Sequence, residues 1–297
     1  MTDVERKGEW LSLPWPKGWD EADSNLLEKM KTILNTPDKW IRKLHQQGGV
    51  RRQGNRLLLR LFAPEPNHFA PEYAELEVLF EDDFCLVVNK PAGMSVHPSE
   101  AGQTGTLANA VACYYETTGQ RCAVRHIHRL DKDTTGAVLY AKNEMSHLVL
   151  DEAMRLKQIE RTYVALVGGK FAALQGIIRE PIGKDRHVSG KRRVSKNGDP
   201  AVTHYEVLEL YTRGALVRLR LETGRTHQIR VHLSHIGHPI IGDTLYGAAA
   251  DSIGRQALHG EQLSFRHPFN GESVSLQAPW PEDFARLAGK LRGNSKN

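Results

Sequence analysis

The stretch HRLDKDTTG, from His128 to Gly136, sets a carboxylate two residues after an arginine and ahead of a turn-forming Thr-Thr-Gly. A turn needs only the last few of these residues. The four before them either decorate a surface loop or aim Asp131 at something. On an extended segment residues two apart share a face, so Arg129 and Asp131 project together. A second arginine, Arg225, stands just before Thr226 at the start of THQIRVHLSHIG. A helix capped by Thr226 would turn free N–H groups and a positive dipole end toward an anion. A carboxylate brought to that end, with Arg225 as bidentate partner, stays ionised and oriented. Such a group suits nucleophilic attack or electrostatic stabilisation better than general-acid work. A structural Asp–Arg bridge is the plainer use of the same pair, and the residues by themselves leave both readings open.

Other chemistries find less support. His232, His235 and His238 are spaced in threes, but Gly237 interrupts before the last, and no carboxylate occupies the H-E-x-x-H register. GMSVH (93–97) lacks the second glycine of a nucleophile elbow. No glycine-rich loop ends in Lys-Ser or Lys-Thr, so nucleotide triphosphate use is not indicated. Tyr163, in RTYVALVGG, reads as core or half-core, although Arg161 and the glycine stop leave an exposed strand end open. The three cysteines, Cys85, Cys113 and Cys122, are odd in number and form no C-x-x-C, which argues against disulfides and thiolate metal sites. Neither metal nor cofactor is expected, and the expected compartment is the cytoplasm. The N-terminus shows no apolar signal region, and no apolar run reaches membrane-spanning length.

Charge points to a partner. The chain's net charge is only +5, yet 39–60 holds seven basic residues and no acid: Lys39, Arg42, Lys43, Arg51, Arg52, Arg56 and Arg60. A second island over 184–196 holds six, Lys184, Arg186, Lys191, Arg192, Arg193 and Lys196, against Asp185. Together they carry +12, so the remainder of the chain sums to −7. Two basic islands in an acidic background fit a polyanion such as RNA, whereas a single island would read as a solvated face.

The elements that must position these residues fall into two groups. Residues 1–25, with Trp10, Trp15 and Trp19 at no regular period, are expected to form an irregular arm over another surface. Residues 26–62 read as a small module: LLEKMKTIL as a helix, then a helix capped by Thr36 with Pro37 at its first position. That second helix carries Trp40, Ile41 and Leu44 and ends at Gly48-Gly49, and a hairpin about Gly54-Asn55 follows. Residues 63–74, with three prolines, are expected to be a linker that lets the two parts fold separately. From 75 to 290 strands dominate, with a helix capped by Asn143 and a hairpin about Arg213-Gly214. The class is α+β with a mixed, largely antiparallel sheet.

HRLDKDTTGAVLYAK resembles the signature of RluA-type pseudouridine synthases, with Thr135 where the family usually has serine. VVNKPAGMSVHPS (87–99), ERTYVALVGG (160–169), LETGRTHQIRVHLSHIGHPIIGDTLYG (221–247) and ALHGEQLSFRHPFNGE (257–272) extend the likeness in the family's order. The resemblance implies a catalytic domain that isomerises specific uridines of structured ribosomal or transfer RNA without a cofactor. It makes Asp131 the catalytic aspartate and Arg225 its basic partner. Arg129 would help fill the gap left by the extruded uridine, and Tyr163 would stack on the flipped base and take part in proton transfer. The 26–62 unit is similar to an α-L-type RNA-binding module, with the turn inverted to Gly-Asn. Lys39, Arg42, Lys43, Arg51, Arg52, Arg56, Lys191, Arg192 and Arg193 are the expected RNA contacts. The protein is expected to act as a monomer, away from membranes. A non-catalytic RNA-binding or ribosome-assembly factor on the same fold is the alternative.

Overall fold

The computed structural model describes residues 3–20, 25–34, 36–100, 102–249 and 253–293, so 1–2 and 21–24 of the expected arm lie outside the described residues. The arm is not irregular. Its strands β1 (Glu5–Lys7) and β2 (Trp10–Pro14) form a hairpin. Two helices follow, α1 (Leu26–Leu34) and α2 (Asp38–Gln46), then β3 (Val50–Gln53) and β4 (Arg56–Leu59) about the expected turn. Strand β2 pairs with β4, giving a four-stranded sheet ordered β1-β2-β4-β3. Leu11, Ser12 and Leu13 are all buried. Its apolar–polar alternation, Leu11-Ser12-Leu13, is only three residues long before Pro14, too short a run to announce a strand. The second helix starts at Asp38 with Pro37 as its flanking residue, and the Thr36 hydroxyl makes no hydrogen bond, so the expected Thr36 cap is not formed.

Trp40, Ile41 and Leu44 bury with Leu11, Met30, Leu57 and Leu59 in one core, which Phe84 and Met145 of the following domain also enter. Lys43 Nζ reaches Glu144 at 2.9 Å across the same junction. The 63–74 segment carries neither helix nor strand, but it is no free tether. Glu65 and Glu72 donate backbone N–H groups to the carbonyls of Arg121 and Asn109, and the Asn109 amide returns a bond to Ala70. The two parts therefore share a core and a bonded connection.

The larger part contains β5 (Glu77–Glu81), β6 (Cys85–Lys90), α3 (Leu107–Thr117), β7 (Arg125–His126), β8 (Thr135–Ala141) and α4 (Glu144–Arg155). It continues through β9 (Glu160–Gly168), β10 (Gln175–Ile178), β11 (Ile182–Lys184), β12 (Arg192–Val194), β13 (Thr203–Tyr211) and β14 (Gly214–Leu221). The last elements are α5 (Gln228–His235), β15 (Leu258–Arg266), β16 (Ser273–Gln277) and α6 (Glu282–Gly293). One long sheet runs β10-β13-β14-β9-β15-β8-β6-β5, with β7 added to β8 and β16 to β15. Among the described residues only β15 with β8 pairs parallel, so the sheet is mixed and largely antiparallel, as expected. Asn143 caps α4 by accepting the Ser146 N–H at 2.8 Å. Where the HRLD segment enters the sheet, β8 and β15 approach so closely that a Cβ on Gly136 would lie 2.3 Å from the Gly260 carbonyl oxygen. Gly136 also has φ +124°, a conformation side-chain-bearing residues rarely adopt.

Lys90 ties this region together. Its side chain is buried, and Nζ donates to the carbonyls of Pro91, Met94 and Lys132 at 2.8, 2.7 and 2.8 Å. Burial pushes its pKa down to about 7, whereas three acceptors match the three N–H donors of the ammonium form. Lys90→Met would strand these carbonyls without a donor. It is expected to cost about 2–4 kcal/mol, at one to three for each buried group left unsatisfied with partial relief from water. An unchanged denaturant midpoint would show that the loop does not depend on the ammonium.

Candidate active site

His128 anchors the loop before β8. Its Nε2 accepts the Leu139 N–H at 3.3 Å, which requires a neutral ring, and burial lowers its pKa to about 3. Leu130 points into the core, so Arg129 and Asp131 turn outward together, as their spacing predicts. The Asp131 carbonyl accepts the Thr134 N–H at 3.1 Å, and Thr135 Oγ1 bonds His259 Nδ1 at 2.8 Å, fixing the turn behind the carboxylate.

The ion partner of Asp131 is Arg230, not Arg225. Arg230 Nη1 lies 3.1 Å from Asp131 Oδ2, while its Nε and Nη2 grip Asp243 at 2.7 and 2.9 Å. Burial works against the guanidinium charge, but the two carboxylates outweigh it and hold the pKa above its ordinary value. Arg225 instead donates Nε to the Pro200 carbonyl at 3.1 Å and sits 3.9 Å from exposed Asp199. Asp131 docks against the first turn of α5, at Arg230, rather than against the residue preceding the helix. Nor does Thr226 cap that helix. The residue before it is His227, in the left-handed conformation at φ 59° and ψ 19°, a cost of order 1–3 kcal/mol for a side-chain-bearing residue. His227 Nε2 is 4.0 Å from Asp131 Oδ2, and its Nδ1 bonds the Tyr246 hydroxyl at 2.8 Å. Burial lowers its pKa, partly offset by Asp131. The Tyr246 hydroxyl also accepts the Arg192 N–H at 2.9 Å, and the Arg230 guanidinium lies 4.9 Å from the Tyr246 ring centre. This links the basic β11–β12 hairpin to the edge of the site.

Asp131 lines a cavity of about 540 Å³ together with Tyr163, Ile229 and Leu258. Cations dominate its lining: Arg129, Arg155, Lys157, Arg161, Arg225 and Arg230 against Asp131 and Glu222. Tyr163 comes from β9, its ring almost wholly buried, and burial raises its pKa, so the phenol is neutral. Neither its hydroxyl nor Asp131 Oδ1 has a hydrogen-bond partner among the described residues. Both polar groups are uncommitted in one cavity. Sequence reasoning brought Asp131, Tyr163, Arg129 and Arg225 to this place. It missed Arg230, His227, Asp243 and Tyr246, whose one signal was their place inside the 221–247 block that carried the family resemblance.

The basic islands divide. Arg42 pairs with Asp38 at 2.7 Å, Lys43 with Glu144 and Arg56 with Asp3 at 2.6 Å, so these cations are already engaged. Arg51 and Arg52 lie over the Trp10 and Trp15 rings at 4.7 and 4.6 Å. They and Lys39, Lys191, Arg192 and Arg193 make no ion pair among the described residues. The evenly spaced histidines do not converge: His232 bonds Thr203 and the Glu180 carbonyl, and His238 stacks on Phe171. Asp82, Cys85 and His267 do cluster, away from Asp131. Their polar atoms are occupied: His267 Nε2 bonds Asp82 Oδ2 at 2.7 Å, and Asp82 Oδ1 takes the Phe84 and Cys85 N–H groups. Burial also pushes the Cys85 thiol up, so the cluster reads as structural.

A carboxylate and a phenol inside a cation-rimmed cavity, carried on this mixed sheet, define an enzyme for an anionic substrate. The chain belongs to the RNA pseudouridylate synthase family, whose model matches residues 84–235; it is an isomerase of uridine in RNA. Similar proteins include the "Uncharacterized RNA pseudouridine synthase YhcT" of Bacillus subtilis (strain 168), 47% identical over 80% of this chain and 79% of that protein. The "Ribosomal large subunit pseudouridine synthase D" of Nitrosomonas europaea is 40% identical over 79% of this chain and 71% of its own. The solved structure of "Human RNA Pseudouridylate Synthase Domain Containing 4" aligns with a TM-score of 0.61 and 28% identity, covering 73% of this chain and 93% of that one. Among the described residues no helix is long and apolar enough to cross a membrane.

Proposed function

We infer that the target uridine enters the Asp131 cavity as a flipped base, and that its source is structured RNA, with large-subunit ribosomal RNA the first class to test. The observation that carries this reading is the Asp131 carboxylate: one oxygen clamped by Arg230, the other uncommitted in a cavity lined by cations. Relatives 37–41% identical to this chain bear names referring to the ribosomal large subunit, which supports the substrate class. A base stacked in a duplex is out of reach, so it must be extruded first. The reaction breaks the N1–C1′ bond, turns the ring and forms a C5–C1′ bond, while a proton leaves C5 and one is gained at N1. Atoms balance with no outside group. Asp131 attacks or stabilises the reacting centre, Arg230 holds it ionised, and Arg129, exposed beside it, fills the gap in the RNA stack.

Tyr163 packs against the base and its hydroxyl carries a proton. Tyr163→Phe is therefore expected to keep RNA affinity and lose about 10²-fold or more in single-turnover rate, the usual scale of a proton-transfer group. Tyr163→Leu should weaken binding as well. Near-normal rates in both variants would reduce the residue to a core aromatic.

The N-terminal unit acts as an RNA-gripping module of α-L type through Lys39, Arg51 and Arg52, and the β11–β12 hairpin grips through Lys191, Arg192 and Arg193. Replacing Lys39, Arg51 and Arg52 together with glutamine should flatten the log–log salt dependence of RNA binding by about 2, at roughly 0.7–0.9 per lost phosphate contact. An unchanged slope would remove the module from the interface. The reading also places the enzyme in the cytoplasm, in keeping with its unpaired cysteines, and as a monomer, which light scattering of the purified protein checks. The decisive experiment maps pseudouridines in RNA from cells lacking the gene. One or more should vanish and return only with an intact Asp131; an unaltered map would overturn the reading.

A further inference from the structure

A second cavity, of about 350 Å³, lies beside the first and shares Arg129, Leu130, Asp131, His227 and Arg230 with it. The Asp131 segment is a wall common to both. The rest of the second lining is its own, with His97 and Gln256 prominent. The His97 ring lies parallel to that of His126, with centroids 4.7 Å apart and planes 9° from parallel. His126 does not line the cavity, so this two-ring stack ends there at His97. His97 Nδ1 is buried and has no hydrogen-bond partner among the described residues. Burial, and then Arg129, keep the His97 pKa below its ordinary value, so the ring is neutral. Gln256, itself nearly buried, donates its amide to Thr134 Oγ1 at 3.3 Å. The reaction as derived above uses none of these groups.

The lining suits an uncharged heterocycle better than a phosphate. Asp131 and Asp133 stand in it beside Arg129, Lys132 and Arg230, and a phosphate would meet those carboxylates as like charges. A nucleobase brings a flat face for the imidazole stack and edge donors and acceptors for Gln256. Stacking on aromatic rings is the usual means of holding unpaired bases, and the volume is within the range of small-ligand pockets. We propose that this cavity takes the nucleobase of a nucleotide adjacent to the target uridine, packed against His97. The proposal rests on the reading that the first cavity holds the target. Because both cavities share the Asp131 wall, their occupants are neighbours along one strand, and the enzyme unstacks two nucleotides rather than one. RNA in which the second is already unpaired is therefore favoured.

The test uses RNA oligonucleotides spanning the mapped uridine, intact or with an abasic ribose on one or the other side of it. The quantity read is the enzyme concentration giving half-maximal single-turnover conversion. For the wild-type protein an abasic ribose on one side should raise it about tenfold, equivalent to about 1.4 kcal/mol. His97→Ala should show the same rise on intact RNA and no further rise on the abasic strand, whereas His97→Phe, which keeps an aromatic face, should respond as the wild type does. The proposal fails if the wild-type protein ignores both abasic strands, or if His97→Ala remains as sensitive to them as the wild type. Intact RNA left unconverted by the wild type would overturn the uridine-isomerising reading and this one with it. Conversion without any abasic effect would overturn this one alone.

Discussion

Asp131→Asn is expected to abolish pseudouridine formation, by a factor of about 10⁴ or more, while RNA binding survives. The substitution keeps the shape of the side chain and removes its charge. Arg230 retains its bidentate grip on Asp243, so the guanidinium is not left unpaired and the fold should hold. The cations lining the cavity, proposed to meet phosphate, are untouched, which is why affinity should persist. What disappears is the carboxylate oxygen that no other residue engages. Removing a group that reacts or stabilises charge at the reacting centre costs several orders of magnitude, expressed in the chemical step rather than in binding. Single-turnover conversion of saturating RNA, alongside a filter-binding isotherm, separates the two effects. Substantial conversion by the Asn variant would mean that Asp131 only bridges helix and loop.

Arg230→Met and Arg225→Met should differ sharply. Arg230 is nearly buried and serves two carboxylates, one of them, Asp243, with a side chain only 2% exposed. Its loss leaves that charge buried and unpaired, which typically costs about 3–5 kcal/mol. It also frees Asp131 to turn away from its productive position, so conversion should fall at least 10²-fold even at temperatures where the variant stays folded. The Arg225 side chain is 42% exposed, and its one ion pair among the described residues is long and solvated, so its removal should cost about 1 kcal/mol or less. Any loss of activity in Arg225→Met should therefore appear mainly as weaker RNA binding. Thermal melts and single-turnover rates on both variants check this contrast. Equal melting points and equal rates would show that the observed pairing has no functional weight.

The difference between the two arginines shows where sequence reading stops. HRLD announced a paired carboxylate, and the charge of Arg225 made it the natural partner because it precedes a helix. Which arginine arrives depends on how far along α5 the Asp131 loop lands, a distance set by β8, β15 and the Gly136–Gly260 approach. The N-terminal arm failed for a related reason. Strand β2 alternates over only Leu11-Ser12-Leu13 before Pro14, too short a run to read, and its pairing partner β4 comes from beyond both helices. The basic run over 39–60 looked uncompensated because its acids come from elsewhere in the chain, from Asp3, Glu9 and Glu144.

What the sequence by itself determined was local or periodic. The Gly54-Asn55 hairpin, the Asn143 cap, the outward pairing of Arg129 with Asp131 and the largely antiparallel character of the sheet all follow from spacing and residue type. These depend on backbone geometry within a few residues, which side-chain chemistry controls directly. Tertiary structure alone decided that Arg230 clamps Asp131, that His227 takes the left-handed position, that Tyr246 links the basic hairpin to the site, and that His97 closes a second cavity. The contacts of Arg230 and Tyr246 join residues 99 and 54 positions apart, and His227 is set against its own propensity. They are fixed by packing of the assembled sheet, in which no single stretch of the chain holds the information.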